Sequence, residues 1–327
     1  MTKLKSFKEL LVEYEIYSRT HRLDQEPEAL YLPINYIMSQ SSKKIRPLAL
    51  MMIAEMCGAD IDYSVKAAYS IELFHNFTLV HDDIMDDAAL RRGEDTVYKK
   101  FGLNNAILSG DVMMIESLRL LNEVEFESKK KGLVKLFVKT GREICEGQSL
   151  DMGFEKKSQV ELEEYLEMIR LKTAVLLACS MKMGAILGSK NEDFQRAIYA
   201  IGQNIGVGFQ IQDDWLDTYG DFSKVGKTPY GDIVQTKRTA LYLHAFQKSN
   251  GVQKEKLMHL YSKETASEKR VKEVLEIFQN LNVENDVRQL FENYKSSSLA
   301  IVNTLKVKAE FKKSLADFIE MIFQREF

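Results

Sequence analysis

An all-α fold is what this sequence predicts, and three observations predict it. Apolar residues recur at three- and four-residue steps along the chain, as in KAAYSIELFHNFTLVHDDIMDD and FQRAIYAIGQNIGVGFQIQDDWLD. Only four prolines (Pro27, Pro33, Pro47 and Pro229) interrupt 327 residues, which leaves room for long helices. No run of alternating residues reads as a set of strands, so βαβ units are not expected and a helical assembly is.

In chain order, the periodicity predicts helices over 5–20, 29–39, 46–57, 63–88, 102–123 and 131–154. It continues with 160–188, 193–219, 233–248, 266–279, 286–300 and 305–326. The breaks between them are short and rich in Gly, Ser and charge: SQSSKKIRP (39–47), ALRRGEDT (89–96), ESKKKG (127–132), GSKNED (188–193) and GDFSKVGKTPYGD (220–232). None is a long flexible linker, so one helical domain over 1–327 is the simplest organisation. From about residue 248 the chain is charged and carries no obvious chemical cluster, which reads as scaffold.

Composition excludes several classes. A formal net charge of −3 gives no general pull towards nucleic acid. Cys57, Cys145 and Cys179 form no CxxC pair, so neither a disulfide framework nor a structural zinc is expected. The N-terminal MTKLKSFKELLVEYEIY lacks the continuous apolar stretch of a signal peptide. The most apolar window, MIRLKTAVLLACSMKMGAILG, is broken by Arg170, Lys172 and Lys182 and reads as a buried helix, not a membrane span. A cytoplasmic protein is expected.

One motif occurs twice. DDIMD (82–86) and DDWLD (213–217) share the pattern DDxxD, each at the end of an apolar helical run. On a helix the first and last Asp of each motif share a face, with the middle Asp flanking it. Like charges at that spacing repel, and Asp is a poor helix residue. Solvated acidic helix ends would account for one such cluster. A matched pair on apolar helices calls for a counter-ion. Hard cations such as Mg²⁺ take oxygen ligands and bridge carboxylates to substrate phosphates. Asp82, Asp83, Asp86, Asp213, Asp214 and Asp217 are therefore the candidate metal ligands.

A diphosphate also needs protein cations. Arg91 and Arg92 follow the first motif, Lys43, Lys44 and Arg46 precede a helix, and Lys227, Lys237 and Arg238 follow the second motif. Each run alone reads as solvated surface; their placement beside the acidic motifs favours phosphate binding. Lys172 and Thr173 interrupt an apolar helix, where a lysine is also open to snorkelling. His75 lies seven residues before Asp82 and is open to a structural role. Gln210, three before Asp213, either reaches a ligand or caps a polar patch.

SSKKIRP, FHNFTLVHDDIMDDAALRRG, LSGD (108–111), EGQSLD (146–151), RLKTAVLL (170–177), GVGFQIQDDWLDTYGD (206–221), GKTPYGDI (226–233) and TKRT (236–239) stand in an order that resembles the trans-isoprenyl (polyprenyl) diphosphate synthase family, of the short-chain geranylgeranyl or farnesyl type. The resemblance covers roughly residues 40–240. It implies a helical bundle around a central active-site cavity, a homodimer, and three Mg²⁺ per site when substrate is bound. The implied substrates are isopentenyl diphosphate and an allylic diphosphate: dimethylallyl, geranyl or farnesyl. Arg91, Lys172, Lys227 and Lys237 match positions that hold the allylic diphosphate. Lys43, Arg46, His75 and Arg92 match those that hold isopentenyl diphosphate, and Thr173 and Gln210 stand near the reacting cation. Ser41 and Ser42 replace a usual glycine pair, Lys44 a usual arginine, and TKRT a usual Asn-Lys-Lys-Thr; the contacting charges survive.

The implied reaction ionises the allylic diphosphate, and the alkene of isopentenyl diphosphate then attacks the cation. It needs no side-chain nucleophile. In the family, bulky residues four and five positions before the first motif shorten the product. Here these are Thr78 and Phe77, with Phe74 one turn deeper, so a short product is expected, C20 ahead of C15. A helical wheel instead sets His75 and Leu79 beneath the carboxylates and turns Phe77 away. Met113 and Met114 are open to lining the product tunnel or to ordinary core packing. Three other readings are a related cyclising or head-to-head terpene enzyme, a silent subunit of a heteromeric synthase, and a purely structural helical protein.

Overall fold

The computed structural model describes residues 4–154, 157, 159–220, 230–262 and 268–324. Among these residues it is all-α apart from one two-stranded hairpin. The helices are α1 (Phe7–Thr20), α2 (Glu28–Ser39), α3 (Ile45–Met56), α4 (Ile61–Met85), α5 (Val97–Phe101), α6 (Leu103–Ser128), α7 (Leu133–Phe154), α8 (Leu162–Ile169) and α9 (Val175–Leu187). They continue as α10 (Glu192–Tyr219), α11 (Gly231–Val234), α12 (Ala240–Lys248), α13 (Gly251–Tyr261), α14 (Glu268–Asn280), α15 (Val283–Thr304) and α16 (Ala309–Phe323). The contacts divide the chain into two compact units.

The first unit comprises Met1–Thr140 and Leu176–Tyr199. Its centre is α4, which packs against α1, α3 and α6. Asp60 caps the helix by accepting from the Asp62 N–H at 2.9 Å. From Val65 to Phe74 nearly every α4 side chain is buried, as expected of a helix apolar on all sides. The Ser70 hydroxyl donates to the Ser117 carbonyl at 2.7 Å and ties α4 to α6. α3 is buried along Leu48–Ala54. Gly184 lets α9 approach it, since a Cβ there would lie 2.5 Å from the Leu50 oxygen. On α6, Met113 is fully buried, while Ile107, Leu108, Met114, Ile115 and Leu118 are exposed.

The second unit comprises Gly141–Val175 and Ala200–Phe327. Leu257, Phe278, Val283, Val287, Leu315 and Phe318 form its core. The Gln212 amide donates to the Phe323 carbonyl at 2.8 Å and fixes the C-terminal helix against α10. Buried Arg270 donates to the Val234 carbonyl at 2.6 Å and closes the end of α11.

The structure departs from the periodic reading in several places, the short α5 among them. The helix expected over 160–188 is not uniformly α: Arg170–Ala174 form a π-turn, with the Val175 N–H bonded to the Arg170 carbonyl. The helix expected over 233–248 is split into α11 and α12. α13 was hidden by its polar face and by Gly251, although Asn250 caps it by accepting from the Gln253 N–H at 3.4 Å. The 63–88 helix stops at Met85, and the chain turns into strands β1 (Leu90–Arg91) and β2 (Glu94–Asp95). The linking residues Arg92 and Gly93 have φ of 57° and 82°, as a two-residue primed turn requires. Among the described residues no helix is long and apolar enough to cross a membrane.

Candidate active site

In the first unit the apolar run of α4 ends in the first DDxxD motif. Asp83 is 1% exposed and receives the Arg91 guanidinium on both oxygens, Nε at 2.9 Å from each and Nη2 at 2.7 Å from Oδ1. The pair is bidentate and charge-assisted. It explains how a carboxylate can end a buried helix, and it folds the hairpin back onto α4. Asp82 is half-buried and Asp86, the C-cap, is exposed. Asp87, at φ 48°, accepts from the Tyr98 hydroxyl at 2.7 Å and Lys99 at 3.1 Å. Those hydrogen bonds hold its carboxyl below the usual range and tie it to α5.

A basic cluster meets the same helix about two and three turns before the motif, at His75 and Glu72. Lys44 adopts the left-handed conformation, φ 48°, at the start of α3, and its ammonium meets buried Glu72 at 2.9 Å. Arg46 Nη1 stands 3.2 Å from His75 Nε2. A guanidinium only donates, so Nε2 accepts and the neutral ring carries its proton on Nδ1. Burial, then the charges of Arg46, Arg92, Arg91 and Lys44, holds His75 well below its ordinary value. Burial lowers Arg46 to about 10, which leaves it charged at neutral pH. Its buried Nε has no hydrogen-bond partner, a donor left over for an anion. Arg92, on the turn, feels Glu72 and Asp83. Lys43 is exposed beside this cluster in sequence.

Phe77 is half-buried between Phe74, with ring centroids 5.3 Å apart, and His81, at 4.8 Å. Phe74 is buried and meets Phe137 edge-on at 4.8 Å. The Thr78 hydroxyl turns back to the His75 carbonyl at 2.8 Å.

In the second unit the second motif ends α10. Asp214 is buried; Oδ2 accepts from the Tyr165 hydroxyl and Oδ1 from Gln210 Nε2 at 3.1 Å. Burial, with Asp232 nearby, pushes its carboxyl well above the usual range. Asp213 and Asp217 are half-buried. Asp217 Oδ2 accepts the Asp232 N–H at 2.9 Å, and α11 can come this close because residue 231 is glycine. Lys237 stands 3.9 Å from Asp232. The Thr173 hydroxyl donates to Gln210 Oε1 at 3.2 Å, and Lys172 donates to Asp151 at 2.6 Å. Arg238 is turned to the Phe154 and Lys157 carbonyls. Lys227 lies outside the described residues.

Each unit thus gathers its own motif and polar partners. Sequence reasoning missed Glu72, Asp151, Tyr165 and Asp232. Asp151 and Asp232 lie inside segments that carry the resemblance, and Glu72 is one turn before His75; Tyr165 has no sequence signal. In both motifs the middle Asp is buried and held by protein donors, and the outer two are more exposed to solvent. Among the described residues no three His, Cys, Asp or Glu side chains converge into a ready-made metal cage. The all-oxygen donor set suits Mg²⁺ of the kind that one or two carboxylates share with substrate phosphates.

Residues 27–278 match the family model described as Polyprenyl synthetase. The chain is 38% identical over 272 residues to a geranylgeranyl pyrophosphate synthase of Geoglobus acetivorans, covering 82% of this chain and 79% of that protein. It is 34% identical over 304 residues to a short chain isoprenyl diphosphate synthase of Methanothermobacter thermautotrophicus, covering 93% and 92%. A crystal structure of a geranylgeranyl pyrophosphate synthase superposes with a TM-score of 0.92 at 37% identity, over 99% of this chain and 100% of that one. With its two DDxxD helix ends and their basic partners, the chain belongs to the polyprenyl synthetase family, the trans-isoprenyl diphosphate synthases.

Proposed function

We propose that this protein condenses isopentenyl diphosphate head to tail with an allylic diphosphate, making a short all-trans prenyl diphosphate, C20 in preference to C15. One observation carries the reading: the same carboxylate motif ends a buried helix in each unit, each time with the middle Asp buried and the outer pair more exposed to solvent. In this reading 1–327 works as one domain that uses both motifs. Asp82, Asp86, Asp213 and Asp217 hold Mg²⁺, three ions when substrate is bound, while Asp83 and Asp214 hold the helix ends in place.

Mg²⁺, when bound, supplies positive charge that offsets the charge of the departing diphosphate. Lys172, Lys227 and Lys237 add theirs, and Arg91 does so from its seat on Asp83. Arg46, Lys43 and Arg92 bind the diphosphate of isopentenyl diphosphate, and His75 offers its Nδ1–H. The Thr173 hydroxyl, the Gln210 amide oxygen and the Lys172 carbonyl face the allylic cation. Gln210 is oriented for this because its amide N–H₂ is spent on Asp214. The alkene attacks, a C–C bond forms, and the proton leaves to the released diphosphate.

The exposed apolar face of α6, with Leu108 54% and Ile115 59% exposed, suits a second copy of the chain. A cytoplasmic homodimer is the proposed working form. The test is incubation of the purified chain with isopentenyl diphosphate and, in turn, dimethylallyl, geranyl and farnesyl diphosphate, with products dephosphorylated and sized. A C20 product abolished by EDTA is expected. No elongation of any primer would overturn the reading, and a product formed without isopentenyl diphosphate would favour a cyclase.

A further inference from the structure

The π-turn at Arg170–Ala174 is gripped from two sides by helices that use the same device. On α7, Gly147 is buried, and a Cβ there would lie 2.4 Å from the Lys172 nitrogen and 2.8 Å from the Leu171 carbonyl carbon. One turn further along α7, Asp151 accepts from the Lys172 ammonium at 2.6 Å. On α10, Gly206 is buried, and a Cβ there would lie 2.4 Å from the Ala174 Cα and 2.6 Å from its Cβ. One turn further along α10, Gln210 accepts from the Thr173 hydroxyl at 3.2 Å. Both pairs are spaced i, i+4 and so lie on one helix face. In each helix a glycine admits the backbone of the turn, and the next residue on that face holds a side chain of the turn.

We infer that Gly147 and Gly206 are positioning residues that set Lys172 and Thr173 for catalysis. The atoms a methyl would strike are mostly helix backbone, which cannot swing aside. Restoring ordinary contact requires each helix to back away by roughly 1 Å. That retreat is enough to part Lys172 from Asp151 or Thr173 from Gln210, whose hydrogen bonds tolerate little stretch. A π-turn spends an extra residue per turn and is itself a poor helix, so external clamping also keeps it from relaxing to α. The kinetic consequence rests on the prenyltransferase reading; the clasp itself does not.

The test compares Gly147→Ala, Gly206→Ala and the control Gly153→Ala in the full chain. Gly153 also lies on α7 and has nothing within 4 Å of a built Cβ. Alanine outranks glycine in helix propensity, so an activity loss would not come from a weaker helix. Circular dichroism, kcat and KM for isopentenyl diphosphate, and amide hydrogen exchange of peptides over 168–176 are measured together. The two clasp variants are expected to keep their helical signal and to lose kcat on the order of a hundredfold. Isopentenyl diphosphate KM should stay near wild type, and exchange should accelerate at the π-turn but not in α16. Gly206→Ala/Ala174→Gly, which removes one of the two struck atoms, should recover part of the loss. Wild-type kcat and exchange in both clasp variants would overturn the inference. Loss of the helical signal in both would also count against it, because the glycines would then serve folding and not positioning. A wild type that forms no product would sink the proposed activity and leave the exchange result to judge the clasp.

Discussion

At the scale of single residues, the aspartates of each motif divide into two kinds. Asp83 and Asp214 are buried and held by Arg91 and by Tyr165 with Gln210. Asp82 and Asp213, which open the two motifs, are the more accessible. Replacing either Asp82 or Asp213 by Ala is expected to cut turnover roughly a hundredfold or more. The circular dichroism spectrum should be unchanged, and near-normal turnover in both variants would remove them from the metal site. His75 gives a pH prediction. Its folded value lies well below the ordinary one, so between the two the unfolded chain binds a proton that the folded chain refuses. Its contribution to stability is complete above about pH 6.5 and is lost as pH falls, by up to about 1.4 kcal/mol per pH unit. His75→Gln should therefore lose less stability than wild type between pH 7 and pH 5 in thermal melts. An equal loss would show that His75 protonates freely in the fold.

At the scale of elements, α4 is the frame on which the first motif is built. It carries Glu72, Phe74, His75, Phe77 and the first motif within its 25 residues. The Phe77 ring packs with Phe74 and His81, its neighbours on the same face of the helix. If the growing chain runs along α4, Phe77→Ala should add at least one five-carbon unit to the product. Chromatography of the dephosphorylated products would read this, and an unchanged length would clear Phe77 of that role. The hairpin after α4 aims Arg91 and Arg92 through a turn that needs positive φ at Arg92 and Gly93. Gly93→Ala is expected to cost about 1 kcal/mol of stability and to weaken isopentenyl diphosphate binding. Denaturant titration together with KM would detect both effects. Neither the hairpin nor the π-turn is visible to periodicity, because the hairpin lies in a break between helices and the π-turn is a five-residue irregularity inside a helical pattern.

At the scale of the whole molecule, the exposed apolar face of α6 should decide oligomeric state. Ile115→Glu is expected to convert a dimer into a monomer by light scattering, and an unchanged mass would move the interface elsewhere. Most of this protein was legible before any coordinates. The all-α class, the C-terminal ends of α7 and α10, and the placing of the six motif aspartates at two helix ends all follow from 3.6-residue periodicity and from carboxylates repeated where apolar helices end. Such signals are local, so the sequence by itself determines them. What only the tertiary structure decided is which charges are committed to one another. Nothing local pairs Lys44 with Glu72 or Asp83 with Arg91, yet each pair is bound. Tyr165 finds Asp214 from 49 residues away, and Gly147 and Gly206 take their meaning from a π-turn on a third helix segment. Burial and partnership depend on what the chain brings alongside, and no local pattern encodes that.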